Sequence, residues 1–323
     1  MDKKAIAQSI IDKAIESGAC AAGIANIEDL KTMPSFVMMP KRPHIDRVGA
    51  VENETGLPEG VVAWPEMAKS ILVIAYYHPE EDVFMDTWID WKNPPGNKNL
   101  IGVIRETRAW MAEALPEIET KPMNYYVEKG GVWLKDSAVM AGIGILGKNN
   151  ILVTPEHGPR VRLRAMYMSE DFPSTGKLDW DPCEKCPEFC RKACPQQAFA
   201  NVIYDPADYD GQEELPGRTG CYSLMQCDKE MQVNEKRELI GKFELPKYGA
   251  AESIVVYCRE CEVNCPVGKA LEKDTPAARE SEKIRNAACS KFDESAMKEV
   301  LEALSVPESE FDTTTKAATD EVG

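Results

Sequence analysis

Seven cysteines stand in two runs, C-x2-C-x3-C-x3-C-P (Cys183, Cys186, Cys190, Cys194, Pro195) and C-x2-C-x3-C-P (Cys258, Cys261, Cys265, Pro266). Closely spaced thiolates can hold three corners of an iron–sulfur cubane, and a cysteine before proline can reach across to a second one. The spacing therefore predicts two [4Fe–4S] clusters with crossing ligands. Cys183, Cys186 and Cys190 pair with Cys265, and Cys194 pairs with Cys258 and Cys261. The second set is one thiolate short. Cys221, in GCYSLMQC, is the first candidate to complete it, and Cys227 is the reserve. Zinc competes for the C-x2-C pairs, but it leaves an awkward number of cysteines and gives no reason for two Cys-Pro endings. Crossed ligation brings clusters close together, as electron transfer requires. Cys20 and Cys289 lie outside the runs and are expected to be buried thiols.

Elsewhere the 323 residues read as an acidic globular protein, with 43% apolar content, enough for a core that needs no disulfide staples. The N-terminal MDKKAIAQSIIDKAIESG has a helical rhythm, not the charged start and apolar block of a secretory signal. The eleven cysteines thus point to cluster ligation in a reducing, cytoplasmic setting. The longest apolar run, Ser70 to Tyr77, falls far short of the roughly 20 residues of a membrane helix, so no membrane association is expected. Fifty-four acidic residues against 38 basic ones, a formal net charge of −16, repel phosphate backbones on average.

These thiols need a scaffold. Ile6, Ile10, Ile11 and Ile15 recur at helical spacing and predict a helix over 3–17 that stops at Gly18. AAGIANI (21–27) and SILVIAYYH (70–78) predict strands, the second a central one covered on both faces because its apolar character is nearly continuous. A helix is predicted over 100–118, a strand over MNYYVE (123–128), and a helix over KDSAVMAG (135–142). Strands follow at NNILVT (149–154) and RLRAMYMS (162–169), around the turn PEHGP. The alternation predicts an α/β or α+β sandwich domain over 1–175. After it come a cysteine module with little strand pattern over 176–275, a helical segment over 276–305, and a disordered acidic tail over 306–323.

The stretch NYYVEKGG, the turn Ala141-Gly142-Ile143-Gly144-Ile145-Leu146-Gly147-Lys148-Asn149, CYSL at 221 and the second cysteine run together resemble epoxyqueuosine reductases and, more distantly, reductive dehalogenases. The resemblance spans about residues 65–270. It implies a nitroreductase-like, cobalamin-binding sandwich domain followed by a bacterial-ferredoxin-like two-cluster module. It also implies base-off cobalamin reduced to Co(I) by one cluster, with the second relaying electrons from an external low-potential donor of ferredoxin or flavodoxin type. Gly142, Gly144, Gly147, Lys148 and Asn149 are then the corrin-binding residues. The turn also satisfies G-x-G-x-x-G, but it follows a helix and precedes a strand, the reverse of the dinucleotide fingerprint. His157, in PEHGP, lacks the spacing of a cobalt-ligating motif and reads as a turn residue.

By the same resemblance Glu128 stands where the relatives usually carry an aspartate that donates a proton to substrate. Burial would raise its pKa toward neutrality and suit it to that task. Tyr125 and Tyr126 are alternative donors, with aromatic packing as their plainer role. The chain departs from its relatives in having three residues, not two, between Cys186 and Cys190, and in lacking a helical repeat region and a twin-arginine leader. Together with the charge, this favours a small organic substrate or a modified nucleoside over a tRNA. The expected function is a cobalamin-dependent iron–sulfur oxidoreductase of epoxyqueuosine reductase or dehalogenase type. The alternative is a non-catalytic electron-transfer or corrinoid-reactivating protein.

Overall fold

The computed structural model describes residues 2–42, 53–212, 214–268 and 275–311. As far as they are described, the residues form two compact units interleaved along the chain. One comprises Met1–Tyr77, Asn99–Cys227 and Glu260–Ala270, the other His78–Lys98, Asp228–Arg259 and Leu271–Gly323. The cysteines of the two runs, Cys258 excepted, thus share a unit with most of the upstream sandwich.

The chain enters through α1 (Lys3–Glu16), which buries Ile10 and Ala14 and ends where Gly18 takes φ 110°. β1 (Ala21–Asn26), α2 (Ile27–Leu30), α3 (Pro34–Met38), β2 (Ser70–Tyr77) and β3 (Trp88–Ile89) follow. Next come α4 (Pro95–Ala114), β4 (Thr120–Pro122), α5 (Leu134–Met140), β5 (Ile145–Leu146), β6 (Leu152–Val153), β7 (Val161–Met168) and α6 (Phe189–Ala193). In the first unit the sheet runs in the order β1-β2-β7-β4, every pair antiparallel. β2 shows why its sequence is apolar throughout. Ile71, Val73 and Ala75 enter one core with Ala138 and Ala141, at the end of α5. Leu72 and Ile74 enter the other with Ile10 of α1 and Met111 of α4. Alternate side chains therefore meet two apolar layers, each fully buried Ile, Leu or Val contributing about 2 kcal/mol. The expected central strand is present, in a mixed α and β fold.

The strand expected over 123–128 does not form. Pairing with β7 ends at Pro122, which has no amide proton for the ladder. Val127–Lys129 instead makes a 3-10 turn closed by left-handed Gly130, φ 86°. The aromatic pair Tyr125 and Tyr126 has high strand propensity, but propensity yields where no partner strand is offered.

α7 (Leu224–Lys236) leads into the second unit, where β8 (Leu239–Leu245) and β9 (Gly249–Val255) form a hairpin and β3 pairs with β9. α8 (Glu260–Val263) returns to the first unit. α9 (Pro276–Ala288) and α10 (Glu294–Leu304) close the second, capped by the side chains of Thr275 and Asp293. Leu239, Phe243, Ile254, Ile284 and Val300 share its core. The hairpin lies in a stretch where the sequence predicts little strand. Of the expected acidic tail, Glu308–Glu310 forms a 3-10 turn, and 312–323 lies outside the described residues. Among the described residues no helix is long and apolar enough to cross a membrane.

Candidate iron–sulfur site

In the first unit Cys183, Cys186, Cys190 and Cys265 line one pocket together with Lys148 and Asn149. Cys265 thus joins three of the four cysteines of the first run from far along the chain. The Cys190 thiol is pushed up to about 11, by burial first and then by Cys265, Cys183 and Cys186. Cys265 is raised by burial and by the thiols of Cys183 and Cys186, and Arg160 pulls it the other way. Cys190 and Cys265 are thus disfavoured as thiolates on their own, and a cationic metal centre at the pocket would offset that. Among the described residues no three Cys, His, Asp or Glu side chains converge as single-ion ligands. The donor set fits an iron–sulfur cluster.

Several side chains hold these loops. The Asp181 carboxylate accepts from the Cys183 amide at 2.9 Å and is gripped by both terminal nitrogens of Arg218; that guanidinium keeps it below the usual carboxylate range. Glu188, between Cys186 and Cys190, has a left-handed backbone (φ 63°) and N-caps α6. Lys148 at 3.0 Å and Arg191 at 3.4 Å pin its carboxylate, and Lys148 first, then Arg191, hold it below its ordinary range. Arg160 is buried and donates to the carbonyls of Val267, Val263 and Cys265 at 3.0, 3.4 and 3.0 Å. Arg162 pairs with the buried Glu262 at 3.0 Å.

The remaining cysteines are distributed unevenly. Cys194 Sγ accepts from the Ala198 amide at 3.3 Å, and the Cys261 carbonyl accepts from Asn149 Nδ2 at 3.2 Å. Cys261 is pushed well up by burial first, then by Glu262, Cys227, Cys194 and Cys190. Cys221 is part-exposed, with its thiol on the Thr219 carbonyl at 3.6 Å. Cys258 belongs to the second unit. Its amide donates to Oδ1 of the fully buried Asn234 at 2.8 Å, and Asn234 Nδ2 donates to the Ala288 carbonyl at 2.6 Å. Outside the runs, Cys289 is buried, and Cys20, half-buried, is pushed up to about 11 by burial. His157 stacks on Tyr77, ring centroids 4.2 Å apart, in the Thr154–Gly158 turn.

The expected proton donors share one loop. Glu128 is half-exposed rather than buried, and its carbonyl accepts from the Glu54 amide at 2.8 Å. Tyr125 and Tyr126, 57% and 41% exposed, meet edge to face at 5.3 Å, so neither is a core aromatic.

No family model matches the chain. Among curated proteins, the epoxyqueuosine reductase of Bacillus anthracis is 30% identical over 171 residues, covering 52% of this chain and 37% of that protein. That of Bacillus subtilis is 28% identical over 212 residues, 62% of this chain and 48% of its own. The chain spans less than half the length of these two relatives. Its fold is that of the Bacillus subtilis enzyme solved with its catalytic loop swung out of the active site (TM-score 0.54, 20% identity, 85% of this chain and 68% of that one). It is also that of an epoxyqueuosine reductase bound to a modified tRNA stem loop (0.55, 19%, 94% and 77%). A catabolic reductive dehalogenase in complex with 3-bromo-4-hydroxybenzoic acid aligns at 0.50 with 15% identity, over 91% of this chain and 35% of that one. The chain is thus similar in sequence, over about half its length, to epoxyqueuosine reductases, and similar in fold to these solved structures.

The glycine turn packs closely against the rest of the chain. A Cβ on Gly142 would lie 2.7 Å from the Gly176 carbonyl oxygen, one on Gly144 2.3 Å from that of Val153, and one on Gly147 2.5 Å from Asn149 Oδ1. The absence of a Cβ at these glycines lets the protein's own atoms approach closely. Lys148 and Asn149 face the cysteine pocket. Arg160, Asp181 and Arg218 were not singled out from sequence. The alternating basic residues Arg160, Arg162 and Arg164 on an otherwise apolar strand were the available signal, because a buried strand tolerates charge only where partners wait for it.

Proposed function

We propose that this chain is an iron–sulfur reductase in which two [4Fe–4S] clusters deliver electrons, taken from an external low-potential donor of ferredoxin or flavodoxin type, to a bound cobalamin. The substrate class is a small organic electrophile or a modified nucleoside. The observation that carries the reading is the pocket uniting Cys265 with Cys183, Cys186 and Cys190. Asp181 and Arg160 fix the two backbone segments that present these thiols, and the Ala198 amide donates to Cys194 Sγ. When bound, the corrin would supply a strongly nucleophilic reduced cobalt. Its contacts are not assigned to the turn glycines. Glu128, Tyr125 and Tyr126 share one loop, so a substrate held there would meet all three candidate proton donors. The net charge of −16 weighs against a polyanionic tRNA, although a structural relative was solved with a tRNA stem loop.

Anaerobic reconstitution with iron and sulfide should yield about eight iron atoms per chain, and added cobalamin should bind with a base-off spectrum. Glu128→Gln should then abolish turnover while corrin and iron remain; undiminished turnover would remove Glu128 from the role. The glycine turn, filled by the protein's own backbone, favours a second reading as a non-catalytic electron carrier or corrinoid-reactivating protein. Full iron loading with no corrin binding decides for it.

A further inference from the structure

Cys265 enters the first pocket on a segment that the Thr154–Gly158 turn, between β6 and β7 of the same unit, grips from outside. The turn is closed by the Thr154 amide on the Gly158 carbonyl at 2.9 Å and the Gly158 amide on the Thr154 carbonyl at 3.0 Å. Thr154 Oγ1 donates to the Gly158 carbonyl at 3.1 Å and accepts from the His157 amide at 3.2 Å, so one hydroxyl fixes both arms. His157 stacks on Tyr77, the last residue of β2, which anchors the turn to the sheet. Two glycines then interlock. Gly158 is left-handed (φ 57°), and a Cβ there would overlap the carbonyl oxygen of Val267, two residues past Cys265. Gly268 is left-handed too (φ 89°), and a Cβ there would overlap the Gly158 amide nitrogen and the His157 carbonyl carbon. Each backbone occupies the space the other's side chain would take, an approach that needs glycine on both sides. Arg160, two residues past Gly158, completes the grip on the Val267 and Cys265 carbonyls, both at 3.0 Å. Val153, just before the turn, and Val267 line the pocket beside Cys265.

We infer that Gly158 and Gly268 are positioning residues for the first cluster. Their clasp holds Cys265 in place before iron arrives, and Cys183, Cys186 and Cys190 close onto a corner that the sandwich side of the unit has already set. The packing of the two sides differs accordingly. The clasp stands on β6, β7 and the end of β2, whose residues share the large core of the sheet, whereas the stretch that carries the other three thiols is followed only by the small group around Tyr204. Each thiol releases its proton to solvent as its sulfur binds iron. The inference rests on the iron–sulfur reading above and adds to it which part of the fold places the distant ligand.

The test reconstitutes the full wild-type chain, Gly158→Ala, Gly268→Ala and a control, Gly56→Ala, anaerobically, counts iron and sulfide, and records electron paramagnetic resonance after dithionite reduction. Gly56 is also left-handed (φ 71°), with open space where its Cβ would stand, so its variant carries similar backbone strain away from the clasp. Wild type and Gly56→Ala should hold about eight iron atoms, and each clasp variant about four. The second cluster's signal should survive in the clasp variants, which also reports that they are folded. Full loading of both clasp variants with an unaltered first-cluster spectrum overturns the inference, as does equal iron loss in Gly56→Ala. Should neither clasp variant fold, hydrogen exchange on iron-free wild-type protein decides. The hydrogen-bonded amides of Thr154, Gly158 and Cys265 should stay protected while those of 183–190 exchange faster; equal exchange in the two stretches overturns the inference. Wild-type protein loading only one cluster, or none, sinks the two-cluster reading itself, and that outcome is read without any variant.

Discussion

Glu188 occupies a backbone conformation that costs an L-residue about 1–2 kcal/mol, between the second and third cysteines of the first run. Lys148 and Arg191 hold its carboxylate there. Its pKa lies below the usual 4.5, so its contribution is complete above that value and is lost as the pH falls through the lowered one. Glu188→Gln should therefore melt below wild type at pH 7, and the gap should close in scans at acid pH; a gap that persists there would break the linkage. Arg160 makes a stronger case because it is buried and serves three carbonyls at once. A lysine offers a single ammonium without the planar fork. Arg160→Lys should cost about 2–4 kcal/mol, seen as a lower denaturation midpoint and faster iron loss to a chelator. Equal midpoints would show that the carbonyls find other donors.

Among the elements, the β5–β6 ribbon depends on the absence of a side chain at Gly144. An added methyl would stand 2.3 Å from the Val153 carbonyl oxygen. Gly144→Ala should cost roughly 1–3 kcal/mol, with hydrogen exchange rising at Ile145 and Leu152, and unchanged protection would show that the ribbon can shift. The sequence already held α1, β2, α5 and β7, because each has an apolar rhythm long enough to fix its period. It misassigned 123–128 because two tyrosines resemble strand residues, while Pro122 ends the ladder and the Gly130-Gly131 turn leads the chain away. It passed over β8 and β9 even though Leu239, Phe243 and Leu245 alternate, since the surrounding cysteines, prolines and charges suggested a module without strands. Of the candidate site, the four thiols of the first pocket were legible from spacing alone. The residues that hold them were not, because Asp181, Arg160 and Arg218 act through tertiary hydrogen bonds that leave no local pattern.

For the molecule as a whole, the apolar clusters lie around the sheet of the first unit and within the second unit. The stretch from Asp181 to Tyr222 adds only a small group, in which Tyr204, Tyr209 and Leu215 meet Met38. Order there should depend on bound iron. Chelation should strip exchange protection from 181–222 while β2 and β7 keep theirs, and retained protection in the iron-free chain would show that protein contacts suffice. The interleaving of the units has a further consequence, for how the molecule is made. During synthesis the first cysteine run leaves the ribosome well before Cys265, and neither unit can close until the chain beyond 260 has emerged. Three thiols of the first pocket must therefore wait, open to oxidants and stray metals, for a ligand not yet translated. Completion of the first cluster thereby waits for Cys265, and a nascent chain stalled before it should be unable to retain a complete first cluster.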